Sequence, residues 1–252
     1  MDRDFRRGYI AIDFPAKPFT SVLRTLSRSV RLFLSQFWSV TLLTLVVFLP
    51  GKLLLQLACY ALDISTSGIL SYALLEVSDL VLGALAVPAV VYALVGGLRS
   101  GHAPAMRVCL RWGFRQFGRT LWNKFKVEVT VILWGAMLVI PGLLAMVRLI
   151  FTDVVVAVEG DTQPDPMDRS RHLSQGRRWR IFLVLAPLML IDMLATFLIL
   201  DRIPDATHSR FLFAIADSLL NVVGQLTTTA VLLMYLGLLP PGKKSQSYIR
   251  AA

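Results

Sequence analysis

Apolar residues fall in blocks too long for the buried face of a soluble helix. The blocks cover about 33–58, 70–98, 124–140, 142–158, 180–200 and 211–239, and each comes close to the roughly 20 residues an α-helix needs to cross hydrocarbon. The stretch 124–158 is the awkward one, because as a single straight helix it would be roughly 50 Å long. Pro141-Gly142 sits near its middle and predicts two spans joined as a hairpin.

Between the blocks polarity returns with helical spacing. Arg24, Arg28 and Arg31 lie along one side of a segment whose other sides carry Val22, Leu23, Leu26, Val30 and Phe33. Arg107, Arg111, Arg115 and Arg119 recur every four residues, with Pro104 suited to a first helical position and Val108, Leu110, Trp112, Phe114, Phe117 and Leu121 between them. A third basic segment ends at Arg177-Arg178-Trp179. Each predicts a basic amphipathic helix lying in the membrane interface before a pair of spans. Trp38, Trp122 and Trp179 mark the junctions, so the chain reads as weak repeats near 18–98, 103–159 and 164–239. The expected fold is all-α: one six-span domain over 18–239, built as three hairpins, between a polar tail (1–17) and a C-terminal tail (240–252). Such repeats occur in transport folds and in membrane proteins that transport nothing, so they choose no function.

Composition agrees, with 56% hydrophobic and only 17% charged residues. The first dozen residues are polar and lack the short apolar core and cleavage site of a signal peptide; insertion is expected to rely on the first span. Six spans with both termini in the cytoplasm put 22 of the 26 Lys and Arg inside and leave Lys52, Arg148, Arg202 and Arg210. Five spans would expose the Arg169–Arg180 cluster, against the positive-inside bias. The net charge of +10 is thus a topology signal and a grip on anionic headgroups at the cytoplasmic side, not a nucleic-acid footprint. Arg24, Arg28, Arg107, Arg111, Arg115, Arg119, Arg177 and Arg178 are the expected headgroup contacts.

Candidate chemistry is confined to charges inside the spans. Counted from the predicted outer ends, Lys52, Glu76, Asp79, Arg148, Asp192 and Asp217 all fall roughly 9–15 Å below the outer surface. Charges at that depth cost about 2.5–3.5 kcal/mol each, so they must face the bundle and pair, or line a wet cavity. Both readings stand: ion pairs that fix helix order, or a polar cavity for a small polar or headgroup-like ligand, to which Asn221, Gln225 and Thr227–Thr229 add polarity. Arg148 has no opposite charge within a turn of its own span, and Glu76, Asp79, Asp192 or Asp217 is its expected partner. Glu128, Asp153 and Glu159 lie nearer the inner side.

Cys59 and Cys109 fall on opposite sides of the bilayer and read as packing residues. His102, His172 and His208 are far apart in loops, and Asp201, Asp205 and His208 read as ordinary loop polarity. No metal or cofactor is expected. Without a nucleophile elbow, phosphate loop or dinucleotide fingerprint, and with non-membrane stretches of roughly 30 residues at most, an enzyme is not expected.

The order Ile140-Pro141-Gly142, Val147-Arg148, Val158-Glu159-Gly160, Arg169-Ser170 and Gly176-Arg177-Arg178-Trp179 resembles the membrane domain attached to some bacterial glycerophosphoryl diester phosphodiesterases and related multi-pass proteins. That resemblance implies a helical fold in a bacterial inner (plasma) membrane, and it implies no reaction. The catalytic part of those enzymes is a separate barrel with His and carboxylate metal ligands, for which this chain has no room. The expected function is non-enzymatic, acting through lipid or partner-protein contacts; the alternative is a small transporter or permease using the charged layer.

Overall fold

The computed structural model describes residues 9–10, 21–62, 64, 69–200 and 209–239. Among these residues the fold is all-α, with no strand. The helices are α1 (Val22–Ser35), α2 (Phe37–Ala61), α3 (Ile69–Ser100), α4 (Met106–Met137), α5 (Val139–Leu149), α6 (Thr152–Glu159), α7 (Pro166–Ser174), α8 (Arg178–Leu200) and α9 (Ser209–Leu238). Most of the N-terminal tail, the turn 65–68, the loop holding Asp201, Asp205 and His208, and the C-terminal tail lie outside the described residues.

Five segments among them are long and apolar enough to cross a membrane: Phe37–Ala61, Ala73–Ser100, Val139–Glu159, Arg178–Ile199 and Phe211–Leu238. The chain is a helical membrane protein. The block 124–140 is not among the five, because Lys124, Lys126 and Glu128 interrupt it.

The second expected interfacial helix is corrected. Residues 106–137 form one unbroken helix, and its face of Cys109, Trp112, Gly113, Gln116, Thr120 and Asn123 is buried. That face follows the spacing i, i+3, i+4, i+7 of a packed stripe, but it is built mostly of small and polar residues, so the apolar pattern does not reveal it. Trp112 stacks on Tyr92 of α3 with ring centroids 5.3 Å apart and donates its indole N–H to the carbonyl of Ala157 at 3.0 Å. It ties α4 to α3 and α6 at once. Ala89–Val95 of α3 is at most 2% exposed on every side, so α3 is the axis about which α2, α4, α6 and α9 pack.

The chain reverses at Leu138, whose extended backbone ends α4. Gly135 and Gly142 then meet closely enough that a Cβ on Gly142 would lie 2.8 Å from the Gly135 Cα. Pro141 sits in the first turn of α5, where an N–H would have no helical partner. The segment Val139–Glu159 is itself broken between Leu149 and Thr152. Such a break strands backbone groups, and a helix end buried without partners is costly. Here α7 folds back and inserts Ser170, which is fully buried: its hydroxyl accepts from the Phe151 N–H at 3.1 Å and donates to the Arg148 carbonyl at 2.8 Å.

Ser170→Ala removes both bonds and leaves the buried Phe151 N–H behind, while the Arg148 carbonyl keeps only the longer bond from the Ser174 hydroxyl. Stability should fall by about 1–3 kcal/mol, read as a lower unfolding midpoint in detergent. An unchanged midpoint contradicts the role given to this hydroxyl.

Candidate functional site

The site starts from Pro50-Gly51-Lys52. The helix does not stop at the proline: α2 runs through Pro50 to Ala61. Gly51 lets α3 come close, since a Cβ there would stand 2.7 Å from the Leu82 side chain, and Leu82 lies one turn beyond Asp79 on α3. Lys52, the next residue, is thereby delivered beside that carboxylate. Its ammonium, 1% exposed, lies 2.7 Å from Asp79 Oδ1 and 2.6 Å from Asp217 Oδ2 of α9. One buried cation thus joins three helices.

Beside the triad is a half-open cavity of about 420 Å³, lined by Leu75, Glu76 and Asp79 of α3, Asp192 and Thr196 of α8, and Phe213, Asp217, Leu220, Asn221 and Gly224 of α9. Five of the six residues expected in one layer, Lys52, Glu76, Asp79, Asp192 and Asp217, therefore meet at the triad and this cavity. The spacing Asp192/Thr196 and Asp217/Asn221/Gly224 is that of one helix face. It brings in Thr196 and Gly224, which carry no charge to mark them in the sequence. Lys52 is committed to Asp79 and Asp217; among the described residues no cation pairs with Glu76 or Asp192.

Arg148, the sixth, is corrected. It does not line the cavity, and its side chain is exposed near the break bridged by Ser170. Its place in the sequence does not fix its direction around α5. The other arginines divide. Arg24, Arg28, Arg107, Arg111, Arg115 and Arg177 are exposed and Arg178 is half-buried. Arg115 lies over the Trp112 ring, 6.0 Å from its centroid. Arg119 donates to the Gly160 carbonyl, so it braces α4 against the end of α6.

Two further polar groups lie in the bundle. Lys124 of α4 reaches the Cα of Gly83, where a Cβ would sit 2.6 Å from its ammonium. Asp153 of α6 and Glu128 of α4, the latter exposed, lie near it. At the other end of α6, Glu159 is 2% exposed; its Oε1 accepts from the Tyr235 hydroxyl at 2.7 Å and from Arg169 Nε at 3.2 Å. Val158, next to it, accepts from the Ile10 N–H at 2.8 Å. This node fastens α6, α7, α9 and Ile10 together. Cys59 and Cys109 are both free and buried, and among the described residues no group of His, Cys, Asp and Glu has a metal-binding arrangement.

Residues 66–238 match the family model described as a domain of unknown function (DUF7847). No curated protein and no solved structure matches the chain.

Lys52→Met leaves two partly exposed carboxylates without their buried cation; breaking a fully buried pair from one side typically costs about 3–5 kcal/mol, and the loss here should stay below that. The triple variant Lys52→Met/Asp79→Asn/Asp217→Asn should recover most of that loss. Thermal unfolding in detergent reads both, and equal midpoints for the native protein and Lys52→Met contradict the triad.

Proposed function

The chain belongs to the DUF7847 family, and from its charged cavity we propose that it is a non-enzymatic multi-pass membrane protein that binds a ligand carrying a cationic group. The observation that carries this reading is that Glu76 and Asp192 face the cavity while the buried cation beside them is held by Asp79 and Asp217. Unneutralised carboxylates inside a membrane protein are costly. A cationic ligand offsets that cost, and a volume of about 420 Å³ lies in the range of small-molecule sites. Asn221 and Thr196 add hydrogen-bonding groups to orient the ligand.

In this reading α4 makes a sixth crossing, both termini face the cytoplasm of a bacterium, and the cavity lies in the outer half of the inner membrane. Ile132, Leu133, Met137, Leu138, Val139 and Ile140, each more than 60% exposed, support contact of the α4–α5 turn with lipid. The exposed Arg24, Arg28, Arg107, Arg111 and Arg177 support a grip on anionic headgroups, each worth about 1 kcal/mol. The resemblance to membrane domains that accompany phosphodiesterases fits an accessory role without catalysis. A second reading is a small permease, for which Lys124 and Glu128 of α4 and Asp153 of α6 supply further charged groups within the apolar helices.

The test is thermal stabilisation of the purified protein by two panels of ammonium compounds, one of soluble amines and one of aminolipids, against acetate and phosphate as controls. At least one ammonium compound should raise the unfolding temperature, and Glu76→Gln/Asp192→Asn should abolish the rise. Stabilisation by no cation, or an equal rise in the double variant, overturns the reading.

A further inference from the structure

The walls of the cavity show from which direction a ligand arrives. Helices α3 and α8 both pack on α9, yet among the described residues they form no packed interface with each other. The cavity is the cleft between them, with α9 as its floor. On α8 the turns that carry Asp192 and Thr196 are apolar and exposed almost all round: Ile191 is 50% exposed, Met193 62%, Leu194 47%, Phe197 66% and Leu198 60%. On the opposite wall Val77, next to Glu76, is 59% exposed. In a helix that crosses a membrane, apolar side chains so exposed are in contact with acyl chains. The mouth of the cleft is thus flanked on both sides by lipid-facing surface, and its carboxylates are reached sideways from the bilayer.

Resting on the cationic-ligand reading, we propose that the ligand is a membrane lipid with an ammonium headgroup, which enters the cleft laterally between α3 and α8. The ammonium sits between Glu76 and Asp192, where it makes charge-assisted hydrogen bonds to both carboxylates. Its acyl chains stay in the bilayer and lie along Leu194, Phe197 and Leu198 of α8. A soluble amine carries the same charge but lacks the acyl chains that anchor a lipid in the bilayer beside the mouth of the cleft. The cleft therefore selects amphiphiles over free amines. Glu76 and Asp192 stand outside the Lys52 pair, so neutralising them leaves the triad intact.

The experiment is native mass spectrometry of the full chain released from detergent containing equal amounts of phosphatidylethanolamine and phosphatidylglycerol, with and without millimolar ethanolamine. Phosphatidylethanolamine should remain bound at least tenfold over phosphatidylglycerol, and ethanolamine should not displace it. Asp192→Asn and Glu76→Gln, each checked for unchanged unfolding temperature, should each remove that preference. If a variant unfolds, Leu194→Trp/Phe197→Trp serves instead: bulk at the cleft mouth should reduce lipid retention while soluble amines bind as in the native protein. Retention of both lipids alike, or a preference that persists in the carboxylate variants, overturns the lipid assignment. Stabilisation by soluble ethanolamine without retention of the lipid overturns lateral entry and leaves the cationic-ligand reading standing, whereas binding of neither ends both.

Discussion

A single lysine side chain, buried to 1% and shared between carboxylates at 2.6 and 2.7 Å, fixes where α2, α3 and α9 stand relative to one another. Hydrophobic packing alone gives membrane helices little reason to choose one neighbour, because lipid is as apolar as leucine. An ion triad does choose. Each member is unfavourable in hydrocarbon by itself, so the arrangement that brings all three together is strongly preferred over those that leave one alone. The sequence device that permits it is Gly51, whose missing Cβ admits Leu82 and sets Lys52 against Asp79. What the triad leaves over, Glu76 and Asp192 facing a cleft, is the basis of the functional proposal.

The bundle is accordingly of two kinds along its length. Around Ala89–Val95 it is dense, closed by the Tyr92–Trp112 stack, the indole bond to Ala157 and the Glu159–Tyr235–Arg169 node. Around Lys52 it is open: α8 packs on α9 but not on α3, and its turns around Asp192 and Thr196 present exposed apolar residues. The closed end holds Glu159 through Tyr235 and Arg169, whereas at the open end Glu76 and Asp192 face a cleft, which is why the proposed binding falls at the open end. Rigidity falls to the other.

Much of this was legible in the residues. Blocks of apolar length found the five apolar spans, and depth counted at 1.5 Å per residue brought together Lys52, Glu76, Asp79, Asp192 and Asp217. The same count grouped Arg148 with them, since depth carries no information on rotation about the helix axis. The buried face of α4 escaped because Cys109, Gly113, Gln116, Thr120 and Asn123 do not stand out as an apolar stripe, while the exposed arginines beside them do. Ser170 escaped for a related cause. Its partners are backbone groups freed by a helix break 19 to 22 residues away, which no local pattern announces.

The central claim, that the ion triad organises the open end while apolar packing holds the closed one, is tested most directly by hydrogen–deuterium exchange on Lys52→Met in a lipid nanodisc. The account predicts faster backbone exchange in residues 48–58, 74–82 and 213–224, with 86–97 and 152–159 as protected as in the native protein. Exchange that rises evenly through all of these segments, or in none of them, contradicts it.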